Sequence, residues 1–252
     1  MTNVSRVPLA RLLILGALVL IASSCSQQRS STAEQPERPP VVVQLAKTYG
    51  LDSFGQIEAI RYTWSGAFGT VNISRSWVWE PKSGRVSYQG KDKAGNPVKV
   101  TYLRSQLSSQ AAVVKDEIDP AFNNDNYWVL FPFHAYWDSS AKVEDTGMQK
   151  LPLGNGTADE VAIKYPSDVG YTPGDTWTLF LGPDHRVQEF VYHRGGSKKP
   201  SVVMATWADY KKAGPLLFSM DHRGTADGAP LRIFFSDVAV KLTGSDTWQN
   251  AQ

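Results

Sequence analysis

The chain has 252 residues, 42% of them hydrophobic, 20% charged and 11% aromatic, with 20 Gly and 15 Pro. Such a composition excludes wholesale disorder, a collagen-like repeat and a polytopic membrane protein. The 26 Lys and Arg stand against 24 Asp and Glu; setting aside Arg6 and Arg11, which precede Cys25, leaves 24 against 24, a balance that speaks against a nucleic-acid partner, since phosphate neutralisation needs a basic face.

Arg6 and Arg11 form a basic start, and Leu12 to Ala22 is an unbroken apolar run of 11 residues. A bilayer-spanning helix needs about 20, so the run reads as the apolar core of a secretory signal over residues 1–24. It ends in Ala22-Ser23-Ser24-Cys25, which carries the only cysteine. These residues resemble the lipobox of bacterial lipoproteins, with Ala22 where that motif prefers Leu. The resemblance implies cleavage before Cys25 and a diacylglycerol on its sulfur. About two acyl chains suffice for stable membrane attachment. Ser26 stands where an Asp marks inner-membrane retention, so the outer membrane, facing the periplasm, is the expected location. Residues 25–40 then read as the lipidated Cys and a tether without large apolar side chains, with Pro36, Pro39 and Pro40 blocking helix.

A single domain is expected over 41–248. Val42, Leu45, Ala46 and Tyr49, followed by Gly50, predict a short helix. From Ile57 the period changes to two. Ile60, Tyr62 and Trp64 alternate with Ala59, Arg61 and Thr63, and Ile73, Trp77 and Trp79 share a face with Arg75. A bend is expected at Gly66 and Gly69, and turns at Pro81–Gly84 and Asp92–Pro97, giving a four-strand meander. Residues 108–119 suit a short helix that Pro120 would end. Tyr127 to Trp137, YWVLFPFHAYW, is apolar all round; it is expected to be buried on all sides and kinked or ended at Pro132. Strands are then expected at 142–149, 159–165, 175–182, 186–193, 201–210, 215–221 and 230–241. The sum is a mainly β (α+β) fold, an open, curved antiparallel β-barrel of about eleven strands with a helical lid or plug.

This order of elements is similar to the LolA/LolB-like fold of lipoprotein carriers and receptors. The local residues carrying the resemblance are Gln56 to Trp64, Asp125 to Pro132, Pro173 to Trp177 and Val187 to Phe190. It implies an apolar cavity for acyl chains between sheet and lid, and with Cys25 the lipid-anchored type. The exposed hydrophobic tip of that type has no counterpart in the polar turns 81–84 and 91–97.

Aromatic clusters make Tyr62, Trp64, Trp77, Trp79, Trp128, Phe131, Phe133, Tyr136 and Trp137 the candidate ligand-binding residues. The bland alternative for them is a filled core, which would make the chain a non-enzymatic structural or interaction protein of the envelope. His134, His185, His193 and His222 are scattered and read as surface or hydrogen-bonded side chains, not as metal ligands. Neither a nucleophile elbow nor a phosphate-binding loop nor a dinucleotide Gly motif occurs. No catalytic residue, metal or cofactor is therefore assigned, and the expectation is a protein that is not an enzyme. His134 with Asp138 is the pair to test were it one.

Overall fold

In a computed structural model the described residues are 38–168, 171–196 and 199–252. Residues 1–24, Cys25 and the tether as far as residue 37 lie outside them. The described residues form one compact unit. The first helix, α1 (Pro40–Thr48), starts on a proline whose fixed φ suits a first turn, and it buries Val42, Leu45 and Ala46. Gly50 ends it at φ 107°, where an added Cβ would lie 2.5 Å from the Pro215 carbonyl oxygen. A single turn, α2 (Leu51–Phe54), leads into the sheet.

The strands are β1 (Ile57–Phe68), β2 (Val71–Glu80), β3 (Arg85–Lys91), β4 (Pro97–Leu103), β5 (Lys142–Lys150), β6 (Thr157–Lys164), β7 (Thr176–Leu181), β8 (Val187–Arg194), β9 (Ser201–Thr206), β10 (Ala208–Ala213), β11 (Leu216–Ala226), β12 (Ala229–Leu242) and β13 (Trp248–Asn250). All pair antiparallel in one 13-stranded sheet ordered β4-β3-β2-β1-β12-β11-β9-β8-β7-β6-β5, with β10 on β11 and β13 on β12. The sheet is open, because its ends β4 and β5 pair with one neighbour each. The expected fold class is therefore observed, with thirteen strands in place of eleven. The run 201–210 is two strands, parted at Trp207, with Asp209 at φ 54°. The extra strand β13 runs past residue 248, where the domain was expected to end. Gly66 lies inside β1, paired with Ile73, and the turn falls at Gly69.

Before the sheet resumes at β5, a 3-10 turn (Arg104–Ser109) and a π turn (Val114–Ile118) run into the long helix α3 (Asp119–Trp137). Pro120 does not end a helix, as expected from the sequence; it sits in the first turn of α3, where its missing N–H costs no hydrogen bond. Pro132 acts as expected. Leu130 has φ −122° and ψ 19°, a break two residues before the proline. Arg38 donates to the carbonyl oxygens of Ala135 and Ser139, placing a cation at the C-terminal end of α3. Among the described residues no helix is long and apolar enough to cross a membrane.

The sheet curls around α3. Tyr102 on β4 donates to Asp119, and Trp177 on β7 stacks on Phe131 at 4.0 Å. Those strands are eight steps apart in the sheet order, which would be about 38 Å if flat. Asp119 and Phe131 are twelve residues apart, about 18 Å along the helix, so both contacts require a bent sheet. A bulge at Asp237, φ 53°, where Thr63 and Arg61 pair with Ser236 and Ala239, adds local twist.

The two halves of α3 differ. Asp119, Asn123, Asp125 and Asn126 are buried in the first; Trp128, Leu130, Phe131, Phe133 and Ala135 are buried in the second. The second half fills the hollow. Phe131 is 0% exposed, and Phe133 packs on Phe54 and Trp137. Phe131→Ala is expected to cost about 3–5 kcal/mol in urea unfolding. Trp128→Ala, at the start of the second half where the ring borders open space, should cost less, and equal losses would mean that this ring is packed on all sides like Phe131.

Candidate functional site

The hollow is open over the first half of α3. A cleft of about 580 Å³ lies there, roofed by Pro120, Asn123, Asn124, Tyr127 and Trp128. Its floor is the concave face of the sheet. Trp64, Phe68 and Ile73 come from the β1–β2 hairpin, Leu231 and Ile233 from β12, Ala226 from β11, Val203 from β9, and Trp177, Tyr192 and Arg194 from β7 and β8. The volume exceeds the roughly 300 Å³ at which ligand sites begin. Small side chains leave the room. Ala226 pairs with Val203, and next to it Gly224 pairs with Ala205 so tightly that a Cβ on Gly224 would sit 1.8 Å from the Met204 carbonyl oxygen.

Two buried polar clamps hold the roof. Asp125, 0% exposed, accepts from Arg75 Nε at 2.7 Å and Nη2 at 2.6 Å, from Trp77 Nε1 at 2.9 Å, and from Asn124 at 3.0 Å. The Arg75 guanidinium also lies 4.3 Å over the Trp64 ring. Although burial works against its charge, bonding to Asp125 holds Arg75 above its ordinary pKa. In the second clamp Arg104 donates to Asp119 at 3.1 Å and to Asn123 at 2.8 Å, with the Tyr102 hydroxyl on the same carboxylate.

Of the sequence candidates, Trp64 and Trp128 line this cleft. Tyr62 and Trp77 are buried beneath it, 0% and 1% exposed. Trp79 packs on Phe54 and Phe122, while Phe131, Phe133 and Trp137 belong to the filled half. Tyr136 is half-buried and outside the cleft. Sequence reasoning missed Asp125 and the β9, β11 and β12 walls. One signal was present, a lone arginine among Ile73, Trp77 and Trp79. The β1–β2 hairpin exposes three large apolar side chains, Phe68, Val71 and Ile73, of which Phe68 and Ile73 line the cleft.

His134 and Asp138 are tied into structure. Tyr127 and Tyr165 donate to Asp138 at 2.7 and 2.9 Å, and His134 Nδ1 lies 3.7 Å from the same oxygen. Burial opposes the Asp138 charge, but His134 and the two hydroxyls outweigh it and hold the carboxyl below its usual range. His134 Nε2 meets Asn126 Oδ1 at 2.8 Å, and its ring stacks on Tyr127 at 3.8 Å. Among the described residues no cluster of metal-ligating side chains occurs.

His222 departs from the expected surface or hydrogen-bonded histidine. It is 0% exposed, stacks on Trp207 at 4.1 Å, and neither ring nitrogen has a partner among the described residues. It pairs across strands with Ile233, a wall of the cleft. The reason is tertiary: its place on β11 sets it between Phe190 of β8 and Phe235 of β12.

No family model matches the chain, and no curated protein sequence aligns with it. Among solved structures the chain is similar to a LolA superfamily protein from Nitrosomonas europaea, with TM-score 0.45 and 8% identity over 81% of this chain and 93% of that one. It is also similar to an outer membrane lipoprotein-sorting protein domain from Vibrio parahaemolyticus, with TM-score 0.45 and 9% identity over 81% and 92%. For a DUF1329 family protein from Desulfovibrio piger the values are 0.43 and 8% over 82% and 94%. At these scores it is the strand order and the cleft that define the class, an open antiparallel sheet wrapped on one helix that leaves half of its hollow unfilled.

Burial lowers the His222 pKa to about 3, against about 6.5 in an unfolded chain. The fold therefore keeps it neutral. Its stability contribution is complete above about pH 6.5 and declines as pH falls toward 3, by up to about 1.4 kcal/mol per pH unit. His222→Phe is expected to flatten urea-unfolding stability between about pH 6 and 4. An unchanged slope would place the titration elsewhere.

Proposed function

We propose that the protein is a lipid-anchored lipoprotein of the bacterial envelope that holds an apolar chain, from a lipid or an acylated protein, between its sheet and the first half of α3. The cleft carries this reading: about 580 Å³, with walls such as Val203, Leu231, Ile233 and Trp128. Each methylene buried there contributes about 0.8 kcal/mol before the entropy of association is subtracted.

The anchor is Cys25, attached by residues 26–37 to the compact unit, with the outer membrane favoured by Ser26. Binding is non-covalent, with no catalytic step, cofactor or nucleic acid involved. The packed second half of α3, with Phe131 against Trp177, favours the rival reading, a structural or interaction lipoprotein with a filled core.

Two measurements test the proposal. The compact unit, incubated with phosphatidylglycerol vesicles and recovered from them, should carry lipid in native mass spectrometry. Ala226→Trp, which fills the cleft from its floor, should remove that lipid without loss of folding; lipid-free wild-type protein would favour the rival. Palmitate labelling of the full chain in its host should disappear with Cys25→Ala, and persistence of the label would contradict the anchor.

A further inference from the structure

The hollow has a second arm. Pairing of β2 with β3 stops at Ser76 and Gln89, although β2 begins at Val71 and β3 continues to Lys91. Beyond that point Gly90 and Lys91 pair only with β4, so the sheet forks. A cleft of about 980 Å³ occupies the fork. Ile73, Tyr88 and Val98 line it from the sheet, Ile118 from the π turn and Ala121 from the first turn of α3. Gly90 leaves room for the Tyr88 ring, which lies over it, since a Cβ there would lie 2.3 Å from the Tyr88 hydroxyl.

The two clefts meet at two residues. Ile73 and Arg75 line both. Ile73 is 38% exposed, a large apolar side chain standing between two openings. Arg75 spends Nε and Nη2 on Asp125, and its Nη1 has no protein acceptor among the described residues. A guanidinium has five N–H donors and no acceptor, so the junction offers donors alone. Lys91, Lys93 and Lys99 on the rim of the second arm outnumber its acids, Asp92 and Glu117.

Building on the proposed lipid-holding role, we infer that the site takes an amphiphile with two apolar chains, one in each arm, and a head bearing hydrogen-bond acceptors at Arg75. A single chain fills one arm and leaves the other wet against apolar walls. Two chains joined at one head match both arms and cover Ile73 from both sides.

The probes are dioleoyl phosphatidylglycerol and its lyso form, which keeps the head and has one chain fewer, each added to the compact unit and counted by native mass spectrometry. The wild type should hold one diacyl molecule or two lyso molecules. Val98→Trp blocks the second arm and Ala226→Trp the first. Each variant should lose diacyl binding at least tenfold and keep one lyso molecule. A wild type that never holds more than one lyso molecule, or a folded Val98→Trp that binds diacyl lipid like wild type, overturns the two-armed site while leaving a single-chain cleft standing. Failure of wild type to bind either probe instead overturns the proposed function itself. The wild-type stoichiometry needs no variant to fold.

Discussion

Asp125 is a carboxylate with no exposed surface, 48 to 50 residues in sequence from the side chains of β2 that bond to it. An isolated charge in that position would cost several kcal/mol. Four N–H groups, two of them from the Arg75 guanidinium, make the position tenable. The geometry that satisfies the carboxylate also sets the height of α3 above the sheet. Arg75 is held between Asp125 and the Trp64 ring, so on the cleft side a guanidinium stands between the first half of α3 and the floor, while Phe122 packs on Trp77 and Trp79. Removing one partner would leave the other buried and unpaired. The roof over the cleft therefore depends on this pair.

Polar spacers and apolar filling divide the labour along one helix. Up to Asn126 the buried residues of α3 are amides and carboxylates that reach the sheet through arginines and a tyrosine, together with one ring, Phe122, which packs on Trp77 and Trp79. From Trp128 onward they are rings and aliphatic groups that meet Phe54, Trp177 and Phe190 directly. The break at Leu130 lies within the second stretch and lets the rings follow the curved face. One fold thus carries a dry core and an open hollow side by side, and the rigid end can support the end that binds.

Much of the fold was legible because alternation is local. Ile60, Tyr62 and Trp64 advertise an inward face, and each of the four meander strands lies where the turns predict it. Proline was ambiguous: Pro132 broke its helix as expected, whereas Pro120 opened one, and only the chain that follows distinguishes the two uses. The split at Trp207 is accompanied by a positive φ at Asp209, two residues on and inside β10, which alternation along the chain does not show. The cleft was less legible still. Trp64 and Trp128 stood out as aromatics, but Ala226, Val203 and Leu231 join them only through pairings across β9, β11 and β12. His222 gave no warning, because nothing within one strand shows that Trp207 and Phe190 will enclose it.

The central claim, that α3 roofs an open hollow with its first half and plugs it with its second, is tested most directly by crystals of the compact unit grown with a bromine-tagged fatty acid. The account predicts anomalous bromine peaks between Trp128 and the Val203–Leu231 floor, with Phe131 still stacked on Trp177. Peaks that displace Phe131, or a cleft closed by Trp128 with no bromine inside it, would contradict it.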